Sequence, residues 1–155
     1  MRTISELLKS KGNNPVHTIS PNDTLFDAVT RMVDMSIGAV LVVEDDIVKG
    51  IISERDYLRF IASEGHSAQE TPVHKLMTRK VVYVTPETTL TSVMAIMTEA
   101  RIRHIPVMHE DKLVGIVSIG DLVKQISQNQ EVHIKTLEEY ISDSYPGPAS
   151  KRKQP

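Results

Sequence analysis

The sequence contains no cysteine and no tryptophan, and only two phenylalanines among its 155 residues. The absence of cysteine excludes disulfides, thiolate metal sites and cysteine nucleophiles. The scarcity of large aromatic rings argues against a broad stacking surface, and the formal net charge of -2 argues against an extensive basic surface for DNA or RNA. We therefore expect no nucleic-acid partner.

Long hydrophobic runs are also missing. The longest, such as AVLVV at residues 39–43, are far shorter than the roughly 20 residues of a membrane-spanning helix. The amino terminus has charges within it and no apolar signal core. The six histidines are scattered, without an H-x-x-x-H pair or carboxylates at metal-ligand spacing. We therefore expect a soluble cytoplasmic protein with no metal site and no membrane association.

What the sequence does contain is an internal repeat. GIISERDYLRFI at residues 50–61 recurs as GIVSIGDLVKQI at residues 115–126, and the preceding residues align without gaps at the same spacing. Each copy has a short apolar run (VHTIS or VVYVT), a helix with a polar cap and apolar residues at 3–4 spacing, a hairpin with an acidic turn, and a second helix. The sequence predicts an α/β fold, more specifically α+β, of two β-α-β-β-α repeats.

The two repeats are expected to pack face to face as a pseudo-two-fold pair, because about 60 residues rarely form a stable core alone. We assign residues 1–66 to repeat one and 67–128 to repeat two. Residues 3–11 and 129–142 are predicted as amino- and carboxyl-terminal helices, and 143–155 as a disordered basic tail. TPVHKLM, at residues 71–77, is predicted as a short helical turn. Exposed apolar helix faces predict a homodimer.

The second copy, MTRKVVYVTPETTLTSVMAIMTEARIRHIPVMHEDKLVGIVSIGDLV, resembles the cystathionine-beta-synthase (CBS) domain. The resemblance lies in the Met-Thr before the first strand, the proline early in the second strand, and the Gly-Ile-Val-Ser-x-x-Asp ending. The first copy matches more loosely, since residues 38–41 contain no proline. The chain thus resembles a stand-alone CBS pair, or Bateman module.

The resemblance implies a regulatory sensor without catalytic activity. The family's usual ligands are adenosyl compounds: AMP, ADP, ATP, NAD or S-adenosylmethionine. With no second domain in this sequence, we expect an unknown effector protein to be regulated in trans. The alternatives are a constitutive dimeric scaffold with weak or vestigial ligand sites and, less favoured, a small enzyme acting on a nucleotide. The latter lacks support, because the sequence has no nucleophile-elbow glycines, no P-loop and no G-x-G-x-x-G.

The repeated Ser-x-x-Asp has a direct chemical interpretation. A carboxylate can accept hydrogen bonds from both ribose hydroxyls. Ser53 and Ser118 are predicted at helix starts, where backbone N–H groups favour an anion. The alternative is that each serine is only a helix cap and each aspartate only a first-turn charge. Because the motif occurs twice in register, each time after Gly-Ile, we favour ligand binding by Asp56 and Asp121.

The family pattern implies that each cleft is shared between the copies, with adenine against backbone groups and phosphate against Arg and His side chains. The stronger predicted cleft comprises Ser53, Arg55, Asp56, Lys80, Val81, Val82, Arg103, His104 and Pro106. The second comprises Val16, His17, Gly38, Ala39, Ser118 and Asp121. Gly38 and Ala39 bring no charge where the first cleft has Arg103 and His104. We therefore predict unequal sites, with the nucleotide phosphate held on the Asp56 side.

Overall fold

The computed structural model describes residues 2–12, 15–64 and 67–129. The predicted carboxyl-terminal helix begins at the last of these residues, and the rest of it, with the predicted tail, lies outside the described residues. The chain divides within its last described helix into two compact units, Met1–Ile119 and Gly120–Pro155, and every contact given below lies within the first. In order, the elements are α1 (Ile4–Lys11), β1 (Thr18–Ile19), α2 (Leu25–Met35), β2 (Ala39–Glu44), β3 (Ile47–Ser53), α3 (Glu54–Glu64), a 3-10 turn (Val73–Lys75), α4 (Leu90–Ala100), β4 (His104–His109), β5 (Lys112–Ser118) and α5 (Ile119–Asn129).

Repeat one forms the predicted β-α-β-β-α unit. Its sheet has the order β1-β2-β3, with β1 parallel to β2 and an antiparallel β2–β3 hairpin. Asp45 and Asp46 occupy the hairpin turn with φ of 51° and 61°. Two consecutive positive φ values are typical of a type I′ turn, whose twist matches that of the flanking strands. The acidic turn therefore fixes the register of the hairpin.

Repeat two has the same hairpin, β4–β5, but the prediction of a first strand in VVYVT is wrong. Only Val84 forms an isolated parallel bridge, to Val107. Its N–H donates to the Pro106 carbonyl at 3.1 Å, and its carbonyl accepts from Met108 at 2.9 Å. Just before it, the Val81 N–H bonds back to Arg79 at 3.1 Å. That local turn directs the chain away from the sheet, so alternating apolar residues are not enough to form a strand here.

The first helix of each repeat begins as predicted. Thr24 caps α2 and Thr89 caps α4, each hydroxyl accepting from the backbone N–H three residues later, Asp27 at 3.1 Å and Ser92 at 3.2 Å. Such a cap satisfies an N–H that has no partner within the helix. The 3–4 spacing then places matching residues in the core: Leu25, Ala28 and Met32 of α2, and Leu90, Val93 and Met97 of α4.

Helix α1, which precedes repeat one, packs on repeat two. The Ile4 N–H donates to the Thr88 carbonyl at 2.9 Å, and Leu8 closes over Gly115. At the end of the helix, the Lys11 ammonium donates to the Ile116 carbonyl at 3.2 Å. Residues that begin the chain are therefore held by the second repeat.

The segment that precedes repeat two makes the reciprocal contacts with repeat one. The Val73 N–H donates to Asp23 at 2.8 Å, and Thr78 exchanges two backbone bonds with Ile51 at 2.9 and 3.0 Å. This segment includes the predicted helical turn and supplies two members of the first core. That core comprises Ile19, Leu25, Ala28, Met32, Val40, Val42, Ile52, Phe60, Val73 and Met77. The two repeats are thus joined by an exchange of their leading segments.

Candidate functional site

Ser53 and Asp56 meet where β3 passes directly into α3. Asp56 Oδ2 accepts from the Ser53 backbone N–H at 2.7 Å and from its hydroxyl at 3.0 Å, while the Asp56 N–H donates to Ser53 Oγ at 3.4 Å. This reciprocal arrangement is a capping box. Both residues are half-buried. Only Oδ2 of the carboxylate takes part, so the cap leaves Oδ1 with its acceptor sites.

The same bond pattern occurs elsewhere in the chain. A serine or threonine N–H donates to a carboxylate three residues on at Thr3–Glu6, Ser20–Asp23 and Thr24–Asp27, at 3.3, 3.0 and 2.9 Å. None of these three pairs is predicted to touch a ligand. A serine or threonine followed three positions later by a carboxylate is therefore a general device for starting turns and helices in this protein. The motif alone does not identify a binding site, and other groups must lie beside Asp56.

His104, the first residue of β4, lies against the first repeat. A methyl group placed on Gly38 would be 2.9 Å from His104 Cε1 and 3.2 Å from Glu54 Oε1. The Gly38 carbonyl in turn accepts from the Glu54 N–H at 3.0 Å. The histidine predicted for the stronger cleft therefore touches the glycine predicted for the second one. The absence of a side chain at Gly38 is what allows this approach.

Two of the predicted phosphate ligands come from different repeats and line one cavity. Arg55, in the first turn of α3, and Arg103, just before β4, both face a cavity of about 230 Å³ at the carboxyl end of α4. Arg101, which sequence analysis did not select, lines it too. The signal that could have identified it is the spacing Arg-x-Arg-His, which offers two arginines to the same side of a turn. Arg101 was missed because the family pattern directed attention to the residues next to the proline.

A second cavity occupies the equivalent place in repeat one but has different chemistry. Its volume is about 400 Å³, and its lining is almost entirely apolar. Ser36 takes the position of Arg101, and Glu54 takes that of Ile119. The two cavities therefore share equivalent positions but differ in volume and in charge, one being mainly apolar and the other cationic. Such a difference cannot come from the fold, which is shared, and follows from the side chains.

Four other residues of the stronger predicted cleft are not among the described residues that line the arginine cavity. Lys80 and Val82 are exposed and Val81 is half-buried, in the bend before Val84, and they are absent from the described lining of the arginine cavity. Pro106 is buried in β4, where its carbonyl accepts from Val84. Their contact with adenine stays a prediction.

The residues of the second predicted cleft lie on several elements. Val16 and His17 are half-buried ahead of β1, and Ala39 begins β2, paired with Ser53 of β3. Ser118 ends β5, paired with His104, and Asp121 lies in the first turn of α5, in the unit that starts at Gly120. Asp121 thus belongs to a different compact unit from the rest of the set, and this cleft stays a prediction.

Comparisons with known proteins agree on one family. The family model described as CBS domain matches residues 4–63 and 73–128. The mitochondrial CBS domain-containing protein CBSX3 of Arabidopsis thaliana is 40% identical over 151 residues, which is 92% of this chain and 73% of that protein. A solved CBS-domain protein from Burkholderia ambifaria MC40-6 superposes with a TM-score of 0.81 at 41% identity, covering 86% of this chain and 99% of the other.

A more distant solved structure, CBSX2 in complex with AMP, has a TM-score of 0.69 at 23% identity and covers 84% of this chain and 100% of that chain. At that identity the likeness concerns the fold. Together these matches confirm the α+β pair of repeats predicted from the sequence. Over the described residues, no helix is long and apolar enough to cross a membrane.

Proposed function

The chain belongs to the CBS domain family, as a tandem pair of CBS domains, and from this premise we propose that it is a regulatory module that binds an adenine nucleotide beside Asp56 and acts on a separate protein. The observation that supports this most directly is the cavity that brings Arg55 of one repeat to Arg103 of the other. Guanidinium groups suit phosphate recognition. A ligand spanning both repeats would change how they are held together.

The capping box is compatible with ribose binding. Its bonds occupy Asp56 Oδ2, and the carboxylate has further acceptor sites on Oδ1. A ribose hydroxyl can donate to Oδ1 while the helix cap remains intact. In this proposal Ser53 acts through Asp56, by fixing the orientation of the carboxylate. The preference of the phosphate for this side over the Asp121 side follows from Arg55 and Arg103, as the sequence predicted.

The test uses AMP titration by calorimetry, with a matched pair of variants. Asp56→Asn should weaken AMP binding by about tenfold or more, since a hydrogen bond to a charged group contributes about 1.5–3 kcal/mol. Asp27→Asn removes the charge from a like capping box in α2 and should leave affinity unchanged. Saturating AMP at about 100 times Kd should stabilise the wild type by about 2.7 kcal/mol.

Absence of binding by AMP, ADP, ATP, NAD and S-adenosylmethionine would leave the scaffold hypothesis in place. Equal losses in the two variants would mean that Asp56 acts only as a helix cap. Recovery of a chemically altered nucleotide would instead indicate an enzyme. Because the two clefts are unequal, we expect the first binding event to have a stoichiometry of one phosphate-bearing ligand per chain.

The proposal includes a homodimer formed through α2 and α3. These helices carry five exposed apolar side chains, of which Val33 and Leu58 line the apolar cavity: Phe26, Val33, Met35, Leu58 and Ile61. Exposed apolar surface of this kind marks interaction sites. A second copy is the favoured occupant, because an isologous contact would cover the same face on both chains.

The cytoplasm stays the predicted compartment, although one relative is mitochondrial by name.

A further inference from the structure

The arginine cavity contains more positive charge than a nucleoside monophosphate requires. Three guanidinium groups, those of Arg55, Arg101 and Arg103, line one concavity, and its described lining includes no carboxylate. Within the described part of the chain, none of the three guanidinium groups has a hydrogen bond or an ion pair. Two of the other arginines are engaged: Arg31 donates to the Thr18 carbonyl and Arg79 to the His74 carbonyl. Among its described lining residues, the cavity thus presents three cationic groups and no anionic one.

Charge balance indicates the kind of anion that would fit. A phosphate monoester carries about -1.5 to -2 at pH 7 and leaves about one guanidinium uncompensated. A second phosphoryl group adds about one further negative charge and balances all three. The site therefore suits a diphosphate better than a single phosphate.

The backbone at Arg101 is a second and independent observation. Arg101 ends α4 in the left-handed conformation, with φ 54° and ψ 42°. Glycine or asparagine is the usual residue there, because a Cβ makes this conformation unfavourable. Ser36 has the same conformation at the end of α2, with φ 53° and ψ 45°. The chain therefore places a long cationic side chain at a position where glycine would be more stable. The equivalent position beside the apolar cavity has a serine instead.

We propose that Arg101 is a specificity-determining residue that binds the second phosphate of a nucleoside polyphosphate, so that the module responds to a nucleoside di- or triphosphate in preference to a monophosphate. The inference rests on the proposed function, since Arg55 and Arg103 bind the first phosphate whether the ligand is a monophosphate or a polyphosphate. The net charge of -2 argues against the extended backbone of a nucleic acid as the ligand. Free pyrophosphate has the same two linked phosphates as a nucleoside diphosphate, so it is tested separately as an alternative ligand.

The experiment measures Kd for AMP, ADP and inorganic pyrophosphate by calorimetry, without divalent cations that would neutralise the phosphates. The variants are Arg101→Gly and the matched control Ser36→Gly. Both changes put glycine at a left-handed helix end, so both proteins should fold with unchanged or raised Tm. We expect wild type to bind ADP at least about tenfold more tightly than AMP, a difference of about 1.4 kcal/mol.

Arg101→Gly should lose the preference for ADP over AMP, whereas Ser36→Gly should keep it. Equal affinity for AMP and ADP in the wild type, or an unchanged ADP preference in Arg101→Gly, would overturn the inference while leaving the proposed function intact. Failure of both nucleotides to bind would overturn the inference as well, and failure of ATP, NAD and S-adenosylmethionine too would refute the proposed function. Pyrophosphate competing with ADP in wild type but not in Arg101→Gly would assign the subsite to polyphosphate itself, independently of adenosine.

Discussion

At the scale of single residues, one spacing performs two tasks. A hydroxyl residue followed three positions later by a carboxylate starts helices at Thr3, Thr24 and Ser53. At Ser53 alone, among these three, a residue two positions on, Arg55, lines a cavity with arginines of the other repeat. The sequence could predict the cap, because a cap is local. It could not separate cap from ligand site, because that depends on residues far away in the chain.

The change in Tm between pH 7 and pH 3 should depend on one of these caps, that of α2. Hydrogen bonds from the Thr24 backbone and then its side chain lower the pKa of Asp27, with a smaller contribution from Arg31. A lowered folded-state pKa stabilises the fold above the unfolded value, about 3.9, and this stabilisation is lost as pH falls through the folded value. Asp27→Asn should therefore lower Tm at pH 7 and approach the wild-type Tm near pH 3.

The matched control is Asp34→Asn, on the same helix but without a hydrogen bond among those found for the described residues. Its Tm should differ little from wild type at either pH. Thermal unfolding followed by circular dichroism between pH 7 and pH 3 gives both curves. A Tm difference for Asp27→Asn that is the same at both ends of the range would contradict the linkage.

At the scale of elements, the two hairpins are built alike but are covered differently. Gly50 in β3 and Gly115 in β5 occupy equivalent places, each beside an irregularity in the hairpin register. A Cβ at Gly50 would lie 2.8 Å from both the Met77 sulfur and the Thr78 carbonyl oxygen. At Gly115 its nearest neighbour would be a methyl of Leu8, at 2.7 Å. One hairpin is thus covered by backbone as well as a side chain, and the other by a side chain alone.

Alanine at these two glycines should therefore have unequal costs. Gly50→Ala should destabilise by about 1–3 kcal/mol, as overpacking does, because Thr78 is fixed by two backbone bonds to Ile51. Gly115→Ala should cost less, because Leu8 can adopt another rotamer. Urea unfolding with unchanged m values measures both differences. A greater loss for Gly115→Ala would show that the Leu8 contact is the more rigid of the two.

At the scale of the whole molecule, the proposed homodimer would cover the apolar face of α2 and α3. Val33 is 71% exposed and Leu58 66% exposed, and both border the apolar cavity. Val33→Lys and Leu58→Glu should each give monomers without loss of folding, because a charge cannot be buried unpaired at low cost. Light scattering coupled to gel filtration measures the mass.

The control for the dimer is Ile47→Lys, at the start of β3, where the side chain is 57% exposed. This substitution is similar in chemistry but lies beside the hairpin turn, so it should leave the mass of the dimer unchanged. A monomeric wild type would refute the dimer outright. A dimer that persists in both Val33→Lys and Leu58→Glu would place the interface on another face.

The sequence by itself determined the repeat, the capped helices and the acidic hairpins, because each depends on residues a few positions apart and on an alternation of apolar and polar side chains. Only the tertiary structure decided that the leading segment of each repeat packs on the other, that VVYVT contributes a single bridge, that His104 touches Gly38, and that Arg101 joins Arg55 and Arg103. These features arise between residues distant in the chain. Local propensity and periodicity do not determine which distant surfaces come into contact, and the candidate site is formed by such contacts.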